Sequence, residues 1–133
     1  MKGETKMWLD YAAENLESAK ILLNSSLFNS CLQNVQQSVE KLLKSLFAEF
    51  SYKLIKTHSI AKLRQILEEQ GMLIDISEDD CDLLDTIYLP SKYPITSVIP
   101  DYQPDAKICG QCIAIAEQVE QSVKKILEET EAR

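Results

Sequence analysis

Residues 31–50 read CLQNVQQSVEKLLKSLFAEF, and the spacing inside this stretch decides the fold. Cys31, Leu32, Val35, Val39, Leu42, Leu43, Leu46, Phe47 and Phe50 recur at three- and four-residue steps over about five turns, the period of an amphipathic helix. Gln33, Gln36, Gln37, Glu40, Lys41 and Lys44 make up its polar face. Asn29 or Ser30 is available as the N-cap.

The same period extends outward in both directions. Trp8, Tyr11, Ala12, Leu16, Ala19, Leu22 and Leu23 mark one buried stripe on a first helix, from about Thr5 to Leu23. Asn24, Ser25 and Ser26 supply the turn after it. Downstream, Ile60, Leu63, Ile66 and Leu67 predict a short third helix over Ser59–Gln70, closed by Gly71. Ser77 opens a fourth helix with Asp80 in a capping relation. Glu78, Asp79 and Asp80 fill its first turn, where the helix dipole favours negative charge. Leu83, Leu84, Ile87 and Tyr88 form its inner face. All four prolines lie between Pro90 and Pro104, so Leu89–Gln103 is expected to be a non-helical loop. A last helix, about Asp105 to Glu129, carries Ile108, Cys109, Cys112, Ile113, Ala116, Val119, Val123, Ile126 and Leu127. The expected fold is therefore all-α: an antiparallel, up-and-down bundle of four main helices plus a short extra one, a single domain over residues 1–133.

Composition narrows the function classes. At 133 residues the chain can bury a core without disulfides or structural metal. It has no apolar run long enough to span a bilayer and no secretory leader at Met1–Met7, so a cytoplasmic protein with free thiols is expected and no membrane is called for. The net charge of −7 argues against duplex DNA as a partner. That charge is unevenly placed. Lys41–Arg64 carries six bases and one acid, whereas Gln65–Asp85 carries eight acids and no base. Runs of this kind serve as solvated faces, as an anion site on the basic side, or as complementary halves of a symmetric dimer.

Within the basic run, Lys41 and Lys44 lie about one turn apart and would present two ammonium groups to a phosphate, with Gln37 a turn earlier to bond a base or sugar. His58, beside Lys56, either packs locally near a helix start or faces a ligand as a donor. It cannot hold a metal unaided: it is the only histidine, and the nearest cysteine is 23 positions away. In the proline-rich segment, Lys92 and Tyr93 offer a phosphate contact and a stacking surface, or else pack over the bundle end. Cys109 and Cys112 fall on the apolar stripe and read as buried core thiols, with no metal and no cofactor expected. Gly110 between them suggests close approach of another helix or chain.

Four of these elements together resemble the HEPN (higher eukaryote and prokaryote nucleotide-binding) family. Gln37-Ser38-Val39-Glu40-Lys41-Leu42-Leu43-Lys44 resembles its Gln-x-x-Glu-Lys-x-x-Lys signature, after a Trp-x-x-x-Ala first helix at Trp8 and Ala12. Thr57-His58-Ser59-Ile60 is similar to its Thr-His-x-hydrophobic opening, and Ser91-Lys92-Tyr93-Pro94 to its (Ser/Thr)-Arg-Tyr-Pro turn, with Lys92 in place of arginine. The resemblance implies a bundle of four main helices plus a short one, often a symmetric homodimer. Family members include ribonuclease toxins, partners of small nucleotidyltransferases and domains proposed to bind nucleotides.

The ribonucleases' Arg-x4–6-His pattern is absent, because His58 precedes both arginines, Arg64 and Arg133. The expectation is a non-catalytic module for a nucleotide, a nucleotidyltransferase partner in a toxin–antitoxin-like pair, or both, with Gln37, Lys41, Lys44, Lys56, His58, Lys92 and Tyr93 as candidate ligand contacts. The alternatives are a divergent metal-independent ribonuclease using His58, and a pure dimerisation or assembly domain.

Overall fold

The computed structural model describes residues 1–92 and 104–132, with backbone alone at 89–92. Five helices account for most of them: α1 (Gly3–Asn24), α2 (Phe28–Glu49), α3 (Ile60–Glu69), α4 (Glu78–Lys92) and α5 (Ala106–Glu131). No strand occurs among the described residues.

The first two helices form an antiparallel hairpin. Going down α1 while climbing α2, the paired residues are Thr5 with Glu49, Trp8 with Lys44, Tyr11 with Lys41, Ala12 with Ser38 and Asn15 with Asn34. α2 is the central element, packing on α1, α5, α4 and α3. Its buried Leu32, Leu42, Leu43, Leu46 and Phe47 meet Ala12, Leu16 and Ala19 of α1, Leu63 and Leu67 of α3, Leu84 of α4, and Val119, Val123 and Leu127 of α5 in one core. No helix among the described residues is long and apolar enough to cross a membrane.

The helix ends show how tightly the chain turns. α1, α2 and α3 all close in the same way, with a left-handed residue after the C-cap: Ser26 (φ 58°), Ser51 (φ 56°) and Gly71 (φ 83°). The next N–H in each case reaches back to a carbonyl in the last turn, Leu27 to Leu22 at 2.9 Å, Tyr52 to Phe47 at 2.9 Å and Met72 to Leu67 at 3.0 Å. Glycine takes this conformation freely, whereas each serine holds it at a cost of roughly 1 kcal/mol. Ser77 and Asp105 cap α4 and α5 by accepting from Asp80 N (3.0 Å) and Ile108 N (2.8 Å).

The structure departs from the sequence reading in five places. α2 begins at Phe28 without a side-chain cap, because the closing turn of α1 runs directly into it; neither Asn29 nor Ser30 is its N-cap. α4 continues through Pro90 to Lys92, so residues 89–92 are helical. Pro90 lies in the last turn of α4, and proline's fixed φ is itself a helical one. The rest of the expected loop, 93–103, lies outside the described residues, and Tyr93 with it. Tyr11 is 50% exposed and not part of the buried stripe. Glu40, Lys44 and Gln36, placed on a polar face, are buried. Finally, a Cβ on Gly110 would meet nothing within 4 Å among the described residues, so no described helix approaches that glycine closely.

Candidate functional site

A buried glutamate organises the polar interior of α2. Glu40 is 4% exposed and Lys44 8%, and Lys44 Nζ lies 2.9 Å from Glu40 Oε2. The other carboxylate oxygen, Oε1, faces His58 Nδ1 at 3.0 Å and accepts from Gln36 Nε2 at 3.3 Å. Gln36 Nε2 also donates to the His58 carbonyl at 3.1 Å, and Gln37 Nε2 donates to Gln36 Oε1 at 2.8 Å. A buried ion pair contributes little net stability, since desolvating two charges offsets most of their attraction. What this pair accomplishes is geometric. It anchors the imidazole of a loop residue from the middle of a helix.

His58 is held on a second side by stacking. Its ring lies on Tyr88 of α4 with centroids 4.6 Å apart and planes 21° from parallel. The imidazole nevertheless remains half exposed, its side chain retaining 50% of its accessible surface. With Nδ1 on Glu40, Nε2 is the ring nitrogen without a partner among the described residues. A third constraint comes from Asp85, which accepts from Ser59 Oγ (2.9 Å), Ile60 N (2.6 Å) and Ala61 N (3.2 Å). Asp85 thus covers the free N–H groups at the start of α3 from a neighbouring helix, while Ser59 Oγ accepts from Lys62 N at 3.1 Å. Around these groups lies an open pocket of about 390 Å³, lined by Lys56, Thr57, His58, Ser59, Asp85 and Tyr88.

The candidate contacts divide among three places. Gln37, Lys44 and His58 belong to the Glu40 network, and Lys56 stands exposed at the pocket beside His58. Lys41 and Lys44 do not present their ammonium groups side by side. Lys44 turns inward to Glu40, with its Nζ 5.9 Å from the Trp8 ring centre. Lys41 turns to α1, where Nζ donates to Asn15 Oδ1 at 2.7 Å and lies 5.9 Å from the Tyr11 ring centre. Lys92 ends α4, its side chain outside the described residues, as is Tyr93. Asp85 and Tyr88 complete the pocket although the sequence reading did not single them out as site residues. Asp85 is 26 residues from Ser59, a separation that no local spacing rule reaches.

The four cysteines form no part of this site. All are free and buried, and Cys109 Sγ sits 3.5 Å from the Phe28 carbonyl. Burial pushes the Cys81 thiol up to about 11 and those of Cys109 and Cys112 up to about 12, and it raises Cys31 as well. A raised pKa keeps a thiol in its protonated, less nucleophilic form. Among the described residues, no three His, Cys, Asp or Glu side chains are grouped as a metal site requires.

Comparison with known proteins places this architecture. A family model described as HEPN domain matches residues 5–126. The chain belongs to the HEPN family. The match runs from the start of α1 almost to the end of α5, so the Glu40–Lys44–His58 network lies inside the HEPN domain. The crystal structure of ST0689, "an archaeal HEPN homologue", is similar, with 25% identity, a TM-score of 0.70, and coverage of 94% of this chain and 98% of that one. TT1696 from Thermus thermophilus shares the fold at 21% identity and a TM-score of 0.71, covering 93% and 98%. No curated protein matches the chain.

Proposed function

We propose that this HEPN domain is a non-catalytic binding module for a phosphate-bearing nucleotide, seated in the pocket of Lys56, Thr57, His58, Ser59, Asp85 and Tyr88. The observation that carries this reading is the positioned imidazole. A half-exposed ring, fixed by Glu40 on Nδ1 and by Tyr88 on its face, lines the same open pocket as the exposed Lys56. An imidazole and a lysine lining one pocket are groups suited to phosphate oxygens. Asp85 is turned to Ser59 Oγ and the first N–H groups of α3, whose positive dipole end partly offsets its charge.

Metal-independent RNA cleavage draws on both a base and an acid, and this chain has a single histidine. That favours binding over turnover. The Glu40–His58 pair itself favours the second reading, a divergent ribonuclease, because it resembles the base-and-orienter arrangement of acid–base catalysis.

A homodimer belongs to the proposal. α1 exposes Met7, Tyr11 and Ile21, followed by Leu27, an apolar set that a second copy would cover. A nucleotidyltransferase protein of a toxin–antitoxin-like pair is the competing occupant of that face.

Thermal melts with a panel of nucleotides and short RNAs, at low and moderate salt, test the reading. A ligand at about 100 times its dissociation constant adds roughly 2.7 kcal/mol, several degrees of melting midpoint in a domain of this size. We expect one nucleotide class to raise the midpoint in a salt-sensitive way, with His58→Gln and Lys56→Ala each removing most of the rise. A flat panel would overturn the proposal. Shortened RNA in the same samples would replace it with the ribonuclease reading.

A further inference from the structure

At the opposite end of α3 lies a larger groove of about 510 Å³, where the carboxyl ends of α2 and α3 meet the last turns of α5. Its walls include Phe50 and Tyr52 after α2, Met72 and Leu73 after α3, and Lys125 and Glu129 on α5. We propose that this groove binds a small organic cation, an ammonium or amidinium group carried on an apolar body.

Three independent features agree on the sign of the ligand. First, two helices end here, and each carries roughly half a negative charge at its carboxyl terminus. Neither α2 nor α3 has a basic residue in its last turn to neutralise that end. Second, Phe50 and Tyr52 present stacked rings, 6.0 Å apart and 22° from parallel, with Tyr52 fixed edge-on against Phe47 at 6.3 Å. Aromatic faces attract cations and pack against apolar bodies. Third, Glu129 adds a carboxylate on the α5 wall, and it makes no ion pair among the described residues.

Lys125 is the opposing charge. It stands one turn from Glu129 on the same helix, also without an ion pair among the described residues. Among the described residues, two helix ends and one carboxylate against one ammonium leave the groove net negative by about one charge. The apolar part of the ligand has its own contacts. Leu73 is 73% exposed, and Met72 and Ile126 line the same space. The volume suits a small molecule. Among the described residues the groove shares no lining residue with the His58 pocket, so the two proposals stand or fall separately.

The test is calorimetric titration of the full chain with benzamidine, and with benzoate as its anionic counterpart. Glu129 and Lys125 are both exposed, so replacing them leaves the core intact. Benzamidine should bind and benzoate should not. Glu129→Gln should weaken benzamidine by about threefold, and Lys125→Met should tighten it by about as much, as expected of single partly exposed charges. His58→Gln should leave binding unchanged. The proposal is overturned if benzamidine fails to bind, if benzoate binds as well or better, or if Lys125→Met weakens binding.

Discussion

At its amino end α3 meets carboxylates and an imidazole; at its carboxyl end it borders a groove whose described lining holds aromatic rings, a carboxylate and one ammonium. Only 10 residues separate the two. The amino end is closed by side chains brought from elsewhere, Asp85 from α4 and Glu40 from α2, and these hold His58 and Ser59 in place. The carboxyl end is closed by the backbone itself, through Gly71 and the Met72 N–H. The difference is one of helix polarity. Unpaired N–H groups demand acceptors and recruit carboxylates, so cations and donors gather beside them. Unpaired carbonyls can be satisfied by a turn, which leaves the negative end of the dipole facing whatever groove lies next to it.

Removing the buried charge at the amino end is the largest perturbation. Glu40→Gln leaves Lys44 with a neutral partner inside the core, and we expect a loss of about 3–5 kcal/mol in denaturant unfolding. Lys44→Met together with Glu40→Leu should lose much less, since a matched apolar pair leaves no charge stranded. If the single and double changes cost the same, the pair is not the buried hub described above.

Next in size are the two closures of α3. Asp85→Ala should cost about 2 kcal/mol, the upper range for losing an N-terminal cap. Gly71→Ala should cost about 1 kcal/mol through strain alone, because a Cβ there meets open space but must adopt φ 83°. Asp85→Ala should also weaken nucleotide binding, while Gly71→Ala should not. Equal effects of both changes on binding would erase the distinction between the two ends.

The pH dependence is smaller and differs in sign between regions. Glu49 caps α1 from the end of α2, accepting from Lys2 N at 3.0 Å and Thr5 Oγ1 at 2.9 Å. The Lys2 N–H holds its carboxyl below the ordinary 4.5. Its folded state therefore favours the ionised form, and this stability is lost as pH falls below about 4.5. The thiols act oppositely. Burial raises Cys81, Cys109 and Cys112 from 9.0 to about 11–12, so unfolding releases protons above pH 9.0 and stability declines from there upward. Thermal melts of Glu49→Gln should show a shallower acid-side slope, and Cys112→Ala should flatten the alkaline one. Unchanged slopes would mean that these groups carry no linkage.

The bundle was legible because its signal is repeated: the apolar period of α2 recurs in α1, α3 and α5, and a single misplaced residue such as Tyr11 does not disturb it. Gly71 was legible because only glycine enters the left-handed region without strain. Ser26 and Ser51 take the same conformation without any such mark. The site was legible in part. Gln37, Lys44, Lys56 and His58 lie in or beside one polar cluster, yet Glu40 and Lys44 at a four-residue step look the same in sequence whether solvated or buried. Asp85 and Tyr88 reach the pocket through the packing of α4 on α3, which no spacing within either helix specifies.

The central claim is that His58 is a positioned, ligand-facing imidazole, and the chain's single histidine makes it directly observable. Heteronuclear NMR of the imidazole ring during a nucleotide titration at moderate salt reads it without ambiguity. The account predicts a saturable shift of the Nε2 resonance, with Nδ1 remaining hydrogen-bonded to Glu40, and loss of that shift in Lys56→Ala. An imidazole spectrum that stays unchanged while the nucleotide saturates the protein would place the ligand elsewhere and contradict the account.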